Sequence, residues 1–317
     1  MALAFGEKTV SNAYFGEKAV SAIYLGTKKV FPDEEESPGT GDIRLRIETT
    51  SANQGFLLFR QIKTDEGGYV SVDWGDGNKE TLTGKTTYSP EHTYATAGEY
   101  VVKLTGSKFT ELDGAGAGNG FQNAVREILS LKMPTDSTSV SLNSTFYGCV
   151  NLTGSIPAWD DCITSAYQTY VSCTGLTGSI PEWGANITNA YSTYYNCSGL
   201  SGNIPEWGAN ITDTINTYFG CSGLTGRIPE WGANIAEAIS TYHNCTGLTG
   251  SIPEWGANIT DAGYTYNGCA GLTGCSEELL QDPMPSRITY HTGCVSGCAD
   301  AIRQHFTEDW GGTKPSA

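Results

Sequence analysis

From residue 149 to residue 268 the apolar positions return with a period that is neither helical nor strand-like. Counted from each Cys, Leu stands fourth, Ile eighth, Pro ninth, Trp eleventh, Ile fifteenth and an aromatic residue twenty-second, and the string then starts again. Cys149, Cys173, Cys197, Cys221, Cys245 and Cys269 lie 24 residues apart, and Trp159, Trp183, Trp207, Trp231 and Trp255 keep the same interval. CTGLTGSIPEWGANIT from Cys173 recurs letter for letter from Cys245. A fixed period in the twenties predicts units that stack on their neighbours. One unit alone cannot offset the conformational entropy of its own residues, so burial must come from the units on either side. The stacking predicts internal columns of Cys, Leu, Ile and Tyr. Seven units are expected over 125–293, strict across 149–268. Upstream, Val125, Ile128, Met133 and Phe146 follow the pattern with an insertion. Downstream, Cys269 and Leu272 open a unit whose IPEW gives way to SEELLQDPMPS before Ile288 and Tyr290.

The rest of the chain changes period. Between 42 and 106 the alternation is twofold, in IRLRIET, FLLFRQI, YVSVDWGDG and HTYATAGEYVVKLTG, which predicts half-buried strands. Asp76-Gly77 marks a tight turn. The first residues repeat with a period of ten, with Gly6, Gly16 and Gly26 and then Val10, Val20 and Val30 in equivalent places. Apolar flanks around these glycines predict small hairpins over 1–32, too small to hold a core and therefore expected to dock on something larger, copies of the same chain included. The acidic stretch 33–41 reads as a linker. GAGAGNG from Gly114 lacks the Lys-Ser/Thr of a phosphate loop, so 107–124 is expected to be a joint. CADAIRQHFTEDW from Cys298 has helical spacing, with Ala301, Ile302 and Phe306 on one side, and predicts a capping helix in a C-terminal segment 294–317.

Three resemblances follow from these strings. Tyr-x-x-Cys-x-x-Leu-x-x-x-Ile-Pro resembles leucine-rich repeats of the BspA or Treponema type, and LTGSIP is similar to the plant-type consensus. That resemblance implies a leucine-rich-repeat solenoid used for adhesion, recognition or scaffolding. Trp74-Gly75-Asp76-Gly77, with His92-Thr93-Tyr94 and the alternation from Gly98 to Leu104, resembles a PKD-type immunoglobulin-like β-sandwich. Its WGDG turn is implied to be structural, Asp73 and Asp76 being the alternative metal ligands, and the domain a spacer or a sugar- or protein-binding module. AIYLGTKKV from Ala22 is similar to N-terminal segments of bacteriophage virion proteins. The expected fold is mainly β: a docking segment, a sandwich over 42–106, and a solenoid over 125–293 with a capping C-terminal helix.

Charge narrows the function. The net charge is −16, and from Cys149 to Gly268 Arg227 is the only basic side chain against nine Asp and Glu. Such a surface cannot neutralise phosphates, which argues against nucleic acid and anionic membrane as partners. No run approaches the length of a transmembrane helix, and MALAFGEKTVSNAYFGEK has no apolar signal-peptide core, which predicts no standard secretory export. The cysteines are then expected as reduced thiols stacked inside, and the Asn-x-Ser/Thr sequons as by-products of the repeat. Cys275, His291, Cys294, Cys298 and His305 fall close together, and buried thiols, a disulfide or a zinc site all remain open for them. Cys162 has no adjacent base for a nucleophilic role. No catalytic constellation, cofactor or metal is expected.

Two rows are candidate contact surfaces. Trp183, Trp207, Trp231 and Trp255 beside Glu182, Glu206, Glu230 and Glu254 would suit a sugar-binding face, but packing of the indoles beside the apolar slab is the favoured reading. Side chains vary at the seventeenth, nineteenth and twenty-third positions against a copied background, and Tyr195, Phe219 and His243 form an aromatic strip at the last of these. The expected function is a non-enzymatic virion surface protein, a tail or head fibre or a decoration. Residues 1–32 would bind other virion proteins, and the repeats a host glycan or protein. A passive decoration or self-assembly unit, and a bacterial cell-surface adhesin whose export signal lies outside this sequence, are the alternatives.

Overall fold

A computed structural model describes residues 41–114, 118–281 and 285–315, together with the strand backbones at 14–15, 18–19, 23–25 and 28–31. The chain divides into two compact units, Met1–Pro38 and Gly39–Ala317. In the first, β1 (Tyr14–Phe15) pairs antiparallel with β2 (Lys18–Ala19), and β3 (Ile23–Leu25) with β4 (Lys28–Phe31). In the sequence, Gly16 stands between β1 and β2 and Gly26 between β3 and β4.

The second unit begins with β5 (Asp42–Thr49), β6 (Gln54–Leu57), β7 (Gln61–Asp73), β8 (Lys79–Leu82), β9 (Thr87–Tyr88), β10 (Glu91–Tyr94) and β11 (Gly98–Asp113). A helix α1 (Gly118–Ala124) and β12 (Val125–Lys132) follow. β11 is the spine of one large sheet: it pairs antiparallel with β5 along its first half and with β7 along its second. β12 adds to the far side of β5, while β8 and β9 add to β7. Twofold alternation turns Ile43, Leu45, Ile47, Val70, Val72, Val102 and Leu104 inward. The ribbon of β6 and β10 covers part of that face, with Phe56 edge-on to Trp74 at 6.3 Å. The architecture is therefore only partly a sandwich.

Several boundaries expected from the sequence are corrected. β11 runs unbroken from 98 to 113, so 107–113 is strand rather than joint, and the sandwich does not close at 106. Gly114 is buried, and in α1 Phe121 is wholly buried, its ring 5.1 Å from Phe59 and 6.4 Å from Phe146. β12, expected as part of a first repeat, belongs to the antiparallel sheet. β13 (Val140–Ser141) pairs parallel with β11 and with β14 (Ile163–Ser165), so sheet and repeats share one core. Thr145 Oγ1 donates to Leu112 O at 2.8 Å across the junction.

The expected leucine-rich-repeat solenoid is likewise corrected. Regular β-structure is mainly antiparallel and lies between 42 and 132. Within the repeats only short strands form, namely β14, β15 (Gly250–Ile252) and β16 (Leu272–Cys275), besides isolated bridges such as Asn189↔Asp213. The continuous parallel sheet of that solenoid is missing among the described residues, and the backbone explains why. Ser192, Asn196, Asn216, Ser240 and Asn244 are left-handed, with φ from 50° to 59°, at the twentieth and twenty-fourth positions. Each such residue ends extended structure and closes a turn, as where Thr193 N donates to Ala190 O at 3.3 Å across Ser192.

The units nonetheless stack through backbone. Ala190, Ser192, Tyr194 and Asn196 donate N–H to Asp213, Ile215, Thr217 and Phe219 of the next unit at 2.7–3.0 Å, while Thr177 and Thr188 donate back to the previous one. Tyr170, Tyr194, Tyr218, Tyr242 and Tyr266 are wholly buried, and consecutive rings lie 5.7–5.8 Å apart. At the far end a loop with α2 (Glu277–Gln281) lengthens the last unit. There Tyr290 faces outward, and the buried Val295 occupies the tyrosine place. The expected capping helix shrinks to one turn, α3 (Asp300–Arg303), and Ala301 is exposed. Closure comes instead from Ile302, Phe306 and Trp310, with Trp310 stacked on His291 at 4.3 Å.

Candidate contact surface

The segment from the seventeenth to the twenty-fourth position decides what the repeats expose. In the unit of Cys173, Ala190, Thr193 and Tyr194 are buried, while Asn189, Tyr191 and Tyr195 are only half-buried. Thr193 Oγ1 donates inward to Ala166 O at 2.9 Å, which keeps the eighteenth to twenty-second positions tied to the preceding unit. Side chains at the nineteenth and twenty-third positions therefore point out in rows. In the first row Tyr167 and Tyr191 stack at 5.0 Å and 14°, continued by Ile215 and Ile239. In the second, Tyr195 and Phe219 stack at 4.5 Å and 13°, and Phe219 meets His243 at 4.5 Å and 47°.

Sequence reasoning missed one end of this strip. Tyr264, 36% exposed, lies 6.1 Å from His243, whereas Tyr147, 39% exposed at the phase of Tyr195, is separated from the strip by the buried Val171. Tyr264 adopts φ 57° where other units carry Ser, Gln or Asn, a conformation unfavourable for a bulky side chain. Its ring packs over Gly293 of the last unit, where an added Cβ would lie 2.9 Å from Tyr264 Cε1. The signal available in the sequence was its departure from the small polar residues of that column.

Beside the first row runs the seventeenth position, Asn189, Asp213, Glu237 and Asp261, linked unit to unit by single parallel bridges. Asp213 Oδ1 accepts Ile215 N at 3.1 Å, so its carboxylate lies against the apolar row. Burial pushes the Asp213 carboxyl above its ordinary range, and burial pushes His243 below its own.

The tryptophan row packs inside. Trp183, Trp207, Trp231 and Trp255 are buried, and the first three donate Nε1–H to Tyr218, Tyr242 and Tyr266 Oη at 3.1–3.2 Å. Their rings stack on one another at 5.9–6.2 Å, so no indole face is open to a sugar. The reason is size: an indole between the apolar slab and the Asn-bearing turn fills space that smaller residues would leave empty. Glu182, Glu206, Glu230 and Glu254 are exposed, and Arg227 bridges Glu206 at 3.4 Å.

The thiols serve as donors. Cys173, Cys197, Cys221, Cys245 and Cys269 are wholly buried, and each Sγ donates to the carbonyl 27 residues earlier at 2.9–3.0 Å. Cys149 is equally buried at the head of the row. Cys298 makes the same contact to Tyr266 O at 3.0 Å and so extends it, a member that the lengthened last unit hid from the sequence. Cys294 takes the place of the buried Thr, and Cys275 lies half-buried in β16. All ten cysteines are free thiols, and burial pushes Cys221 up to about 12.

The remaining candidates have structural partners. Asp76 Oδ2 meets His92 Nε2 at 2.7 Å, and its Oδ1 accepts Asn78 N at 3.0 Å. Burial pushes the Asp76 carboxyl up, but bonds from His92 and Asn78 outweigh it and hold the group below its ordinary value. Asp73 pairs with Lys79 at 2.8 Å. Among the described residues no group of His, Cys, Asp and Glu is arranged to hold a metal ion, and no helix is long and apolar enough to cross a membrane. No protein-family profile, curated protein or solved structure matches the chain.

Proposed function

We propose that this is a non-enzymatic surface-recognition protein of a bacteriophage particle, attached to other virion proteins through residues 1–32 and meeting a host surface through the repeats. The observation that carries the reading is the outward strip Tyr195–Phe219–His243–Tyr264 with its companion Tyr167–Tyr191–Ile215–Ile239. These side chains vary against an otherwise copied background, and the tyrosine, cysteine and tryptophan columns do not need them for packing. Rings held at 4.5–5.0 Å by a rigid stack lose little freedom on binding, which favours a contact role. The chain's acidity restricts that role to partners other than nucleic acid.

The test is binding of the fluorescently labelled full chain to a panel of bacterial cells. Attachment confined to certain strains, and weakened at least roughly tenfold by Tyr195→Ser with Phe219→Ser, is expected for an interface centre. Folded protein that attaches to no strain, or attachment indifferent to the strip, would refute the reading.

A further inference from the structure

An aromatic row can recognise a sugar by offering ring faces, or a protein by offering ring edges within an apolar surface. Here the faces between partners are covered. Tyr195 and Phe219 are stacked at 13°, and Tyr167 and Tyr191 at 14°, so each pair hides the two faces that meet, while Phe219 and His243 are tilted at 47°. Sugar stacking, which needs an open face, finds a discontinuous platform along these rows.

The flank supplies the second constraint. Asp213, Glu237 and Asp261 run alongside Ile215 and Ile239, and the only basic side chain between 149 and 268, Arg227, is engaged by Glu206. A partner burying the apolar rows would bring its own flank against these carboxylates, and a cationic flank would meet them favourably.

Spacing supplies the third. Successive rings along the strip are 4.5–6.1 Å apart. An α-helix returns one face about every 5.4 Å, whereas alternate residues of a strand lie about 6.6 Å apart. A helix laid along the stack can place an apolar residue on each unit in turn, with lysine or arginine on the side facing the acidic row.

We infer that the strip receives a basic amphipathic helix of a protein partner rather than a glycan. This rests on the reading of the strip as a recognition surface and specifies the chemistry of what it recognises. The occupant covers the rows at the nineteenth and twenty-third positions and sets its cations against Asp213, Glu237 and Asp261.

The experiment is titration of the full chain with three probes: a helix-forming leucine–lysine peptide, a leucine–lysine peptide of strict alternation, and cellohexaose. The helical peptide is expected to bind tightest, with affinity falling at least roughly tenfold when salt screens the carboxylates. Tyr195→Ser with Phe219→Ser should weaken it by a similar factor. Asp213→Asn, Glu237→Gln and Asp261→Asn together should flatten the salt dependence without abolishing binding. Tyr264→Ser, which places at this left-handed position the small polar residue that other units carry, should also weaken the helical peptide, and unchanged melting certifies the fold of each variant. Preference for the alternating peptide, binding of cellohexaose that the strip variants abolish, or helical-peptide binding untouched by the variants would each overturn the inference. If cells still bind through the strip while the helical peptide does not, the inference alone falls. If the peptide binds at the strip and no cell does, the recognition of host surfaces falls instead.

Discussion

Two tyrosines at the same place in the repeat should respond oppositely to loss of a hydroxyl. Tyr218 is wholly buried, and its Oη accepts the Nε1–H of Trp183 at 3.2 Å. Tyr170 is equally buried, but no tryptophan stands where its donor should be, and its Oη has no hydrogen-bond partner among the described residues. Tyr218→Phe strands a buried indole N–H, which costs about 1–3 kcal/mol. Tyr170→Phe removes a buried hydroxyl without a protein partner, so the change should be near zero or stabilising by up to about 1 kcal/mol. Both rings are wholly buried and stacked on both sides, Tyr170 on Phe146 and Tyr194 and Tyr218 on Tyr194 and Tyr242, so the hydrogen bond is the main difference at the hydroxyl. The difference, about 1–4 kcal/mol, corresponds to roughly a fivefold to thousandfold change in the folded-to-unfolded ratio. Urea unfolding at pH 7 measures it, read as a shift in midpoint at constant slope, because a slope change would signal that stacked units no longer unfold together. Equal losses in the two variants, or a larger loss at Tyr170, would refute the assignment of that bond as the source.

Gly75→Ala should cost more than about 1–2 kcal/mol, since φ is 80° and an added Cβ would lie 2.5 Å from Val101 O; thermal melting checks it. Asn216 is left-handed at φ 57°, so Asn216→Ala should lose about 1 kcal/mol while Asn216→Gly should cost only a few tenths, compared by denaturant midpoint. Asn234→Ala removes the 2.8 Å bond from Nδ2 to Ala209 O in the preceding unit and should cost about 0.5–1 kcal/mol by the same assay. Stability should fall steeply above pH 9. Burial raises Cys221 from an ordinary value of 9.0 to about 12, and Cys173, Cys197, Cys245 and Cys269 rise in the same direction. Below pH 9 both states keep the proton and stability is intact, whereas above it the unfolded chain ionises first and folding weakens through about pH 12, by about 1.4 kcal/mol per thiol per pH unit. Circular dichroism across that range checks it, and a flat profile to pH 11 would contradict the burial of the thiols.

The contact strip was legible only in part, and its gaps have definite causes. Tyr195, Phe219 and His243 stood out because they vary where neighbours are copied. Tyr147 was missed because it precedes Cys149, where the strict units begin, and Tyr264 because a period marks phase and says nothing of which side chain a left-handed turn throws outward. The tryptophan row was open to two readings for the same reason, since a residue that fills a core and one that meets a sugar recur with equal regularity. Cys298 was separated from its row because the longer last unit shifts it out of phase, although its Sγ makes the same bond to Tyr266 O.

By itself the sequence determined the 24-residue interval, the inward phase of Cys, Leu, Ile and Tyr within each unit, and the one-sided charge of the surface. These follow from composition and period, because identical units can bury identical side chains only against one another. Tertiary structure decided that left-handed residues would break the repeats into turns, leaving antiparallel pairing to dominate the regular β-structure. It also decided that β11 would carry the sheet past residue 106 into the repeats' core, and that the Tyr195 and Phe219 rings would stack face to face on the outside. Such outcomes depend on dihedral angles and on which groups meet across long stretches of chain, and a one-dimensional pattern holds neither.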